Sequence, residues 1–407
     1  MVDYIIEFFL GLILIRKVFQ LKKFFLNHLE ISSNKQVYHD LAYSNNKIIL
    51  VIPIYNENKV SIENCVIFFS QITSNYINIY FVTTEKEGRG KESSYQILQD
   101  SLKILGNNRM MVIHSPNTTG YKGEQINFCF SELNVIDLRT VIGIYDVDSK
   151  PDLSVLNYLL AQDHFQEVYQ QYSLYDGNIK LLKSFLRIGA VYQTFWSICF
   201  EMNQALTLKK NGNLKYFIGH GLYIRSDVFY NTNGFPKNAI TEDLMYGYKL
   251  SLQGYQITPL YQYEHSDYVT NFVRNMKQSA NWFAGELQII NFYKEFRSQN
   301  KQEIAKVAIR LFYVSLWPVE PLFVLTALFY SIFNPIIMVI VSTLLIITGI
   351  TGLIVNEKFK SVFAKRNESI TVFFQFIEWY LLTFIGPIYY LRLKLSTGFY
   401  KPYKTEK

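Results

Sequence analysis

The stretch RTVIGIYDVDS, Arg139 to Ser149, indicates the fold of the central part of the chain. Its apolar run ends at Ile144, and Asp146 and Asp148 follow almost at once. Apolar runs of this length are typical of buried strands in parallel sheets. Acidic side chains this close repel one another unless a positive group lies among them. The strand therefore ends either in a solvated turn, an ordinary place for aspartate, or at a divalent cation.

Three similar units precede this stretch and extend the pattern to an α/β domain. The apolar runs KIILVIPIYNE from Lys47, INIYFVTTEKE from Ile77 and RMMVIHS from Arg109 alternate with helical segments. This alternation predicts an open, mostly parallel sheet with crossover helices. Ligands of such sheets bind beyond the carboxyl ends of the strands. We therefore expect Glu57, the stretch Thr83 to Glu87 and the two aspartates to share one edge.

Apolar segments near both ends indicate a membrane protein with a soluble middle. Hydrophobic residues make up 49% of the 407 residues, at the top of the range of soluble proteins. Residues 1–25 are expected to form a membrane helix, or an interfacial one because the apolar run is short. Residues 303–395 are expected to form a membrane bundle. Its first segment contains Glu320 between two prolines, which would kink or break the helix, and such an acid usually faces a protein interior or a pore.

The charge distribution limits which binding partners and which orientation in the membrane are expected. The net charge is +7, which suits anionic lipid or a phosphorylated substrate. The sequence contains no nucleic-acid-binding signature, so no nucleic-acid partner is expected. The basic loop from Glu357 to Glu368 and the basic tail 396–407 both favour the cytoplasm. If the C-terminal region has three full membrane spans, the loop and the tail cannot both be cytoplasmic. Either the last segment is re-entrant, or the first C-terminal segment is interfacial, or the tail departs from the positive-inside rule.

Five motifs in a fixed order carry a resemblance to a known family. They are VIPIYNE from Val51, GYKGEQIN from Gly120, DVD from Asp146, TED from Thr241 and QSANW from Gln278. In this order they resemble family-two glycosyltransferases with the GT-A nucleotide-sugar fold. The flanking helices are similar to those of the processive cellulose, chitin, hyaluronan and poly-N-acetylglucosamine synthases. The resemblance implies a cytoplasmic catalytic domain over residues 45–290, including interfacial helices, attached to a multi-pass cell-membrane protein.

The first three motifs imply the site of the sugar donor. In the family the first motif seats the base and ribose, the lysine contacts the diphosphate or base, and the DVD aspartates hold Mn²⁺ or Mg²⁺. The residues so implied are Pro53, Tyr55, Glu57, Lys122, Asp146 and Asp148. Taken one at a time, an ordinary turn explains the first motif as well as a donor site does, and a turn or a surface lysine explains the other two better.

The fourth motif implies the catalytic base. Asp243 would take the proton from the acceptor hydroxyl as its oxygen attacks the anomeric carbon, which gives direct displacement with inversion. Glu242 would orient Asp243 or bind the acceptor. The alternative is a pair of acids at a helix start, where they favour the helix dipole, with Thr241 as the N-cap.

The acceptor side is implied by two further segments. Gly219 and His220, in FIGHGLY from Phe217, would shape the acceptor pocket, with the histidine exposed between glycines. The amphipathic stretch from Arg187 to Lys209 resembles an interfacial helix that seats the domain on the bilayer.

The fifth motif matches in part. Gln278 and Trp282 stand where the family has them, whereas Asn281 replaces the expected arginine. This replacement removes a bidentate phosphate donor and puts diphosphate contact and processivity in doubt. Arg274 or Lys277 would be the nearest substitutes.

The implied activity is metal-dependent transfer of a hexosyl or N-acetylhexosaminyl group from a UDP-sugar to a glycan or lipid-linked acceptor, in cell-surface polysaccharide synthesis. One alternative is transfer of a single sugar to a polyprenyl or other lipid carrier, which Asn281 favours. The other is a non-catalytic nucleotide-sugar-binding scaffold, against which the intact aspartates speak. Membrane lipids are expected partners, and a homo-oligomer or an accessory subunit is compatible with the segment count.

Overall fold

The computed structural model describes residues 2–34, 45–88, 93–206, 214–296, 302–359 and 369–397. Within them, eight strands form one mixed sheet flanked by helices, and a helical bundle follows. Most of the predicted basic loop 357–368, nearly all of the basic tail 396–407 and the end of the stretch 187–209 lie outside these residues.

The strands are β1 (Lys47–Pro53), β2 (Ile77–Thr84), β3 (Met110–Ser115), β4 (Thr140–Ile144), β5 (Lys150–Pro151), β6 (Val168–Leu174), β7 (Leu222–Arg225) and β8 (Ile257–His265). The helices of the first half are α1 (Val2–Asn34), α2 (Lys59–Ser70), α3 (Ser94–Leu105), α4 (Lys122–Leu133), α5 (Ser154–Leu160), α6 (Ser184–Trp196) and α7 (Asn203–Leu206). The others are α8 (Ser226–Asn231), α9 (Glu242–Leu252), α10 (Phe272–Phe296), α11 (Gln302–Tyr330), α12 (Pro335–Lys358), α13 (Ser369–Leu382) and α14 (Ile385–Thr397). A short 3₁₀ turn spans Ile179–Leu181, and a π-helical turn, Ser197–Met202, joins α6 to α7.

The sheet has the order β3-β2-β1-β4-β7-β6-β8-β5. The first four strands are parallel, as the alternating apolar runs predict. Strand β7 runs antiparallel to both β4 and β6, whereas β6 and β8 are parallel. The expected mixed, mostly parallel sheet is therefore confirmed, and the carboxyl ends of β1, β2 and β4 meet at one edge.

The core lies on both faces of this sheet. Along β1, Leu50 belongs to the cluster under α2 and α5, and its neighbour Val51 belongs to the cluster under α4 and α6. Both side chains are fully buried. Because successive side chains of a strand point to opposite faces, a continuous apolar run is what a sheet covered on both sides requires.

Three of the described helices are long and apolar enough to cross a membrane: α11, α12, and α13 taken together with α14. Helix α11 continues through Pro318 and Pro321, so the expected break there is absent. The last segment does break, between Leu382 and Ile385 and just before Gly386-Pro387. Gly386 lies against Ser279, whose side chain an added β-carbon would meet.

Helix α1 is longer than expected and is tied to α11 by charge. It runs to Asn34, well beyond residue 25. Arg16 forms an ion pair with Glu320, and Lys17 Nζ lies 3.2 Å from the same carboxylate. Tyr380 donates a hydrogen bond of 2.8 Å to it. The predicted inward-facing acid in the membrane segment is thus buried and paired.

Candidate active site

One cavity of about 1140 Å³ opens at the carboxyl ends of β1, β2 and β4 and extends to the helical bundle. All thirteen residues that the sequence analysis singles out for donor, base and acceptor line it. They are Pro53, Tyr55, Glu57, Lys122, Asp146, Asp148, Gly219, His220, Glu242, Asp243, Gln278, Asn281 and Trp282. The chain thus brings residues from opposite ends of a 230-residue stretch into one space.

The first end of the cavity is formed by the loops after β1 and β2. Tyr55 follows β1, and the Lys86 ammonium lies 4.8 Å from the centre of its ring. Lys86 Nζ also donates a hydrogen bond of 3.0 Å to the Gly120 carbonyl, which fixes the loop before α4. The predicted edge at Thr83 to Glu87 is therefore present, and Lys86 is a cavity cation that the sequence analysis did not select.

Lys122, the first residue of α4, connects several elements of the cavity wall. Its ammonium donates hydrogen bonds to Asp146 Oδ1, at 2.5 Å, and to the carbonyl oxygen of Gly219, at 2.7 Å. These contacts join α4, the loop after β4 and the loop before β7. A positive group therefore lies beside the strand-end aspartates, as their mutual repulsion requires.

The carboxylates of Asp146 and Asp148 suit a hard divalent cation. Both line the cavity and neither is fully buried. Within the part of the chain that the structure describes, three or more candidate ligands do not come together at any point. Mg²⁺ and similar ions are commonly held by one or two carboxylates, with substrate phosphates supplying further oxygens. The donor set therefore fits an ion that arrives with a diphosphate.

The TED turn is fixed by close approaches to two glycines. An added β-carbon on Gly123 of α4 would lie 2.9 Å from Glu242 Cβ. On Gly285 of α10 it would meet the Thr241 side chain. Thr241 occupies the N-cap position, as expected, but its side chain makes no capping hydrogen bond. The turn is held by packing between two helices instead.

Burial and neighbouring charge set the proton affinity of this turn. Burial raises the pKa of Glu242 to about 8, and the Asp243 charge adds to the shift. Burial likewise raises the pKa of Asp243, although Lys122 works in the opposite direction. Burial lowers the pKa of Lys122, but the nearby acidic groups raise it by more. These groups are Asp146, Glu242 and Asp243, and the net result is a raised pKa of Lys122. A carboxylate with a raised pKa is a stronger base near neutral pH.

Gly219 and His220 lie next to this pair, in different roles. A β-carbon on Gly219 would come within 2.9 Å of Asp243 Oδ2 and 3.3 Å of Lys122 Nζ. His220 is not the exposed turn residue expected, because it is buried. Its Nδ1 lies 3.0 Å from a carboxylate oxygen of the fully buried Glu264. Glu264 is 44 positions further along the chain, so sequence neighbours could not indicate this burial.

The fifth motif reaches the cavity from α10. Gln278, Asn281 and Trp282 line it, whereas Arg274 and Lys277 do not, so neither stands in for the missing arginine at the cavity wall. The cavity guanidinium on this side is Arg310 of α11. It forms an ion pair with Glu286 of α10 and donates a hydrogen bond of 2.6 Å to Tyr248 Oη in α9.

Sequence reasoning missed Arg310 because it lies in an apolar segment taken as a membrane span. A basic residue in such a segment was the signal that could have found it, since intramembrane charges usually serve a site or a partner. A second missed residue is Glu201, which lines the cavity from the π-helical turn after α6.

Residues 160–355 match the model of Glycosyl transferase family group 2. The matched segment contains Gly219, the TED turn and the α10 motif, and it begins after Lys122 and the DVD aspartates. It also includes α11 and most of α12. The expected α/β fold with a mixed, mostly parallel sheet is confirmed, and three described helices are long and apolar enough to cross a membrane.

A search of curated protein sequences found no match. Among solved structures, the mannosyltransferase PcManGT from Pyrobaculum calidifontis, in complex with GDP-Man and Mn²⁺, is similar to this chain with a TM-score of 0.48 and 10% identity. The similarity covers 95% of this chain and 99% of that one.

Proposed function

We propose that the protein is an inverting, metal-dependent glycosyltransferase that takes its sugar from a nucleoside diphosphate sugar. The observation that carries the proposal is the cavity that Lys122, Asp146, Asp148 and Asp243 line together. Next to Lys122 and Asp243, Gly219 has a hydrogen atom in place of a side chain. A diphosphate suits Lys122 and the two DVD aspartates, and an acceptor hydroxyl suits Asp243.

The donor would bind with its base and ribose against Pro53, Tyr55 and Glu57. A carboxylate accepts hydrogen bonds from ribose hydroxyls or a base N–H. The Lys122 ammonium, already held by Asp146 and the Gly219 carbonyl, is a point charge placed for phosphate oxygens. Mn²⁺ or Mg²⁺ held by Asp146 and Asp148 would neutralise charge on the departing nucleoside diphosphate.

The chemical step is a displacement at the anomeric carbon. The acceptor oxygen forms the new bond to that carbon, and the bond to the diphosphate breaks with its electron pair on the leaving oxygen. Asp243 takes the acceptor proton, for which its raised pKa suits it. Glu242 lies next to it in the same buried turn and orients it or the acceptor.

Three described helices that are long and apolar enough to cross a membrane support a reaction at a bilayer. Residues 45–290 are proposed as the cytoplasmic catalytic domain and 303–395 as the membrane bundle, in a cell membrane. The cavity reaches Trp317 and Glu320 of α11 and Trp379 of α13, so the acceptor end opens between membrane helices. We infer a glycan or lipid-linked acceptor from this opening. The motifs favour a UDP-sugar as donor of a hexosyl or N-acetylhexosaminyl group. They also favour a role in cell-surface polysaccharide synthesis.

The test is donor turnover by the purified full-length protein. It would be incubated in detergent with a panel of UDP- and GDP-sugars, with Mn²⁺, Mg²⁺ or EDTA, and with lipids extracted from native membranes. We expect nucleoside diphosphate release from one donor, lost in EDTA. Long polydisperse products would indicate a processive synthase, and one short lipid-soluble product a single-step transferase. No release from any donor would contradict the proposal and favour a scaffold.

A further inference from the structure

Glu201 is a half-buried carboxylate that lines the cavity from an irregular part of the backbone. It lies in the π-helical turn Ser197–Met202, between α6 and α7. Its side chain interacts with the Ser197 hydroxyl at the start of the same turn. π-Helical turns frequently occur at functional sites. The turn therefore brings a carboxylate to the cavity wall.

This carboxylate lies on the acceptor side of the proposed reaction. It interacts electrostatically with His220, Asp243 and Arg310, all of which line the same cavity. Burial raises the pKa of Glu201 to about 7, so it exchanges easily between accepting and donating hydrogen bonds near neutral pH. Glu201 is therefore close to the proposed base.

Aromatic side chains form the wall beside it. Trp196 and Phe200 flank Glu201 in sequence, and their rings are stacked with centres 4.2 Å apart. Trp317 of α11 also stacks with Trp196, with ring centres 6.5 Å apart. The three rings line the cavity. A pyranose ring presents C–H groups on one face and hydroxyls at its edge, so it suits an aromatic wall with a carboxylate at its border.

The burial of this region disfavours a phosphate as the reacting end of the acceptor. Lys122 is assigned to the donor diphosphate, and Arg310 forms an ion pair with Glu286. Burial raises the pKa values of Glu201, Glu242 and Asp243, so the region disfavours negative charge. A phosphate monoester would bring two negative charges into it, which burial opposes. A neutral sugar hydroxyl meets no such barrier.

We propose that Glu201, with Trp196, Phe200 and Trp317, binds the sugar at the reacting end of the acceptor and selects it over a phosphate monoester. The inference rests on the proposed function and names its acceptor class. An acceptor attached to a lipid is compatible with it, provided that the attacking group is a sugar hydroxyl.

The experiment uses the full-length protein with whichever nucleotide sugar is turned over. Nucleoside diphosphate release is measured with water alone, with glucose, mannose, N-acetylglucosamine and their β1,4-linked disaccharides, and with a short-chain polyprenyl phosphate. The variants are Glu201→Ala and Glu201→Gln, and Glu63→Gln is the control because Glu63 lies exposed on α2. Circular dichroism checks that each variant is folded.

We expect at least one sugar probe to accelerate release and the polyprenyl phosphate to have no effect. Glu201→Ala should raise the KM for that sugar at least tenfold, with Glu201→Gln between it and wild type, and the KM for the donor should change less than twofold. Glu63→Gln should match wild type. Acceleration by the polyprenyl phosphate alone, or an unchanged acceptor KM in both Glu201 variants, would overturn the inference.

Donor hydrolysis by water separates the two proposals. If wild-type protein hydrolyses a donor but responds to none of the sugars, the acceptor inference fails and the glycosyltransferase proposal stands. If it hydrolyses no donor at all, both fail. An equal rise in the KM for donor and acceptor in Glu201→Gln would indicate a structural role for Glu201 and would also overturn the inference.

Discussion

Asp243 Oδ2 lies 2.9 Å from the point that a β-carbon on Gly219 would occupy. The same point is 3.3 Å from Lys122 Nζ, so the missing side chain leaves the space between the proposed base and the proposed phosphate-binding lysine. An alanine there would have to displace one of these groups. The relationship gives a direct test of whether this space is where the reaction takes place.

We expect Gly219→Ala to lower kcat/KM for transfer at least tenfold while the protein stays folded. A misplacement of about 1 Å near the chemistry can cost about 100-fold. Gly11→Ala is the matched control, because a β-carbon on Gly11 of α1 meets nothing within 4 Å. Steady-state kinetics and thermal unfolding of both variants decide the matter. Equal activity of the two would mean that the space is not used.

Asp243→Asn should abolish transfer but leave nucleotide binding intact. The amide has the shape of the carboxylate but cannot take the acceptor proton, and loss of such a group typically costs about 10²–10⁴-fold in rate. Calorimetry with UDP and GDP, alongside a transfer assay, measures the two properties separately. Turnover at the wild-type rate would remove Asp243 as the base.

Asp146→Asn combined with Asp148→Asn should remove metal-dependent donor binding. Amide oxygens carry no charge, so they hold a hard divalent cation weakly. Asp152→Asn is the control from the same acidic stretch, since Asp152 does not line the cavity and its side chain caps Ser154 N at 3.0 Å. Calorimetric titration of the donor with and without Mn²⁺ should distinguish the double variant from the control. Wild-type affinity in the double variant would argue against a metal at this position.

The parallel half of the sheet could be predicted because each strand there is a short apolar run buried on both faces. The antiparallel half could not. Strand β6 reads VYQQYSL, and its Gln170, Gln171 and Ser173 are fully buried. Polar side chains at these positions interrupt the apolar run that would identify a buried strand. Hydrogen bonds with groups distant in sequence allow them to be buried there. One such bond joins Gln170 Nε2 to the His220 carbonyl at 2.9 Å.

The candidate site divides in the same way. Residues that stand in short motifs at strand or helix ends, such as Lys122 and Asp243, could be selected from the sequence because the motif order is informative. Arg310 and Glu201 could not, since each stands alone in an apolar segment and gains its place through helix packing. The burial of His220 depended on Glu264 in a strand that the sequence pattern did not predict.

The acid limb of the pH profile should reflect the buried pair at the start of α9. Burial favours the protonated form of both Glu242 and Asp243, so the fraction with an ionised base increases with pH. We expect kcat/KM to rise through neutral pH, well above the range of an ordinary aspartate. The Asp243 charge raises the pKa of Glu242, so Asp243 ionises first and Glu242→Gln should leave this limb in place.

Stability gives an independent check of the same shift. The folded-state pKa of Glu242 is about 8, against an ordinary value of 4.5. Its contribution to stability is therefore fully present below about pH 4.5 and is lost as the pH rises through 8. The unfolding temperature should fall less steeply between about pH 5 and about pH 9 in Glu242→Gln than in wild type. Parallel curves would contradict the raised pKa of Glu242.

Glu320 should be required for the attachment of α1 to the bundle. Its buried carboxylate forms ion pairs with Arg16 and Lys17 and accepts a hydrogen bond from the Tyr380 hydroxyl. Glu320→Ala leaves two cations facing each other, and removal of one partner of a buried pair costs about 3–5 kcal/mol. We expect the unfolding temperature in detergent to fall by several degrees. Glu320→Gln should fall between, because it keeps the hydrogen bond but not the charge.

The matched control for this prediction is Glu378→Ala, since Glu378 is an exposed carboxylate on α13 two residues before Tyr380. Removing it takes away a membrane-segment acid without uncovering a cation. Limited proteolysis adds a local readout, because α1 should become accessible in Glu320→Ala before the rest of the chain. If both alanine variants unfold at the same temperature and resist protease equally, the ion network does not hold α1, and the packing of its apolar side chains against α12 must do so instead.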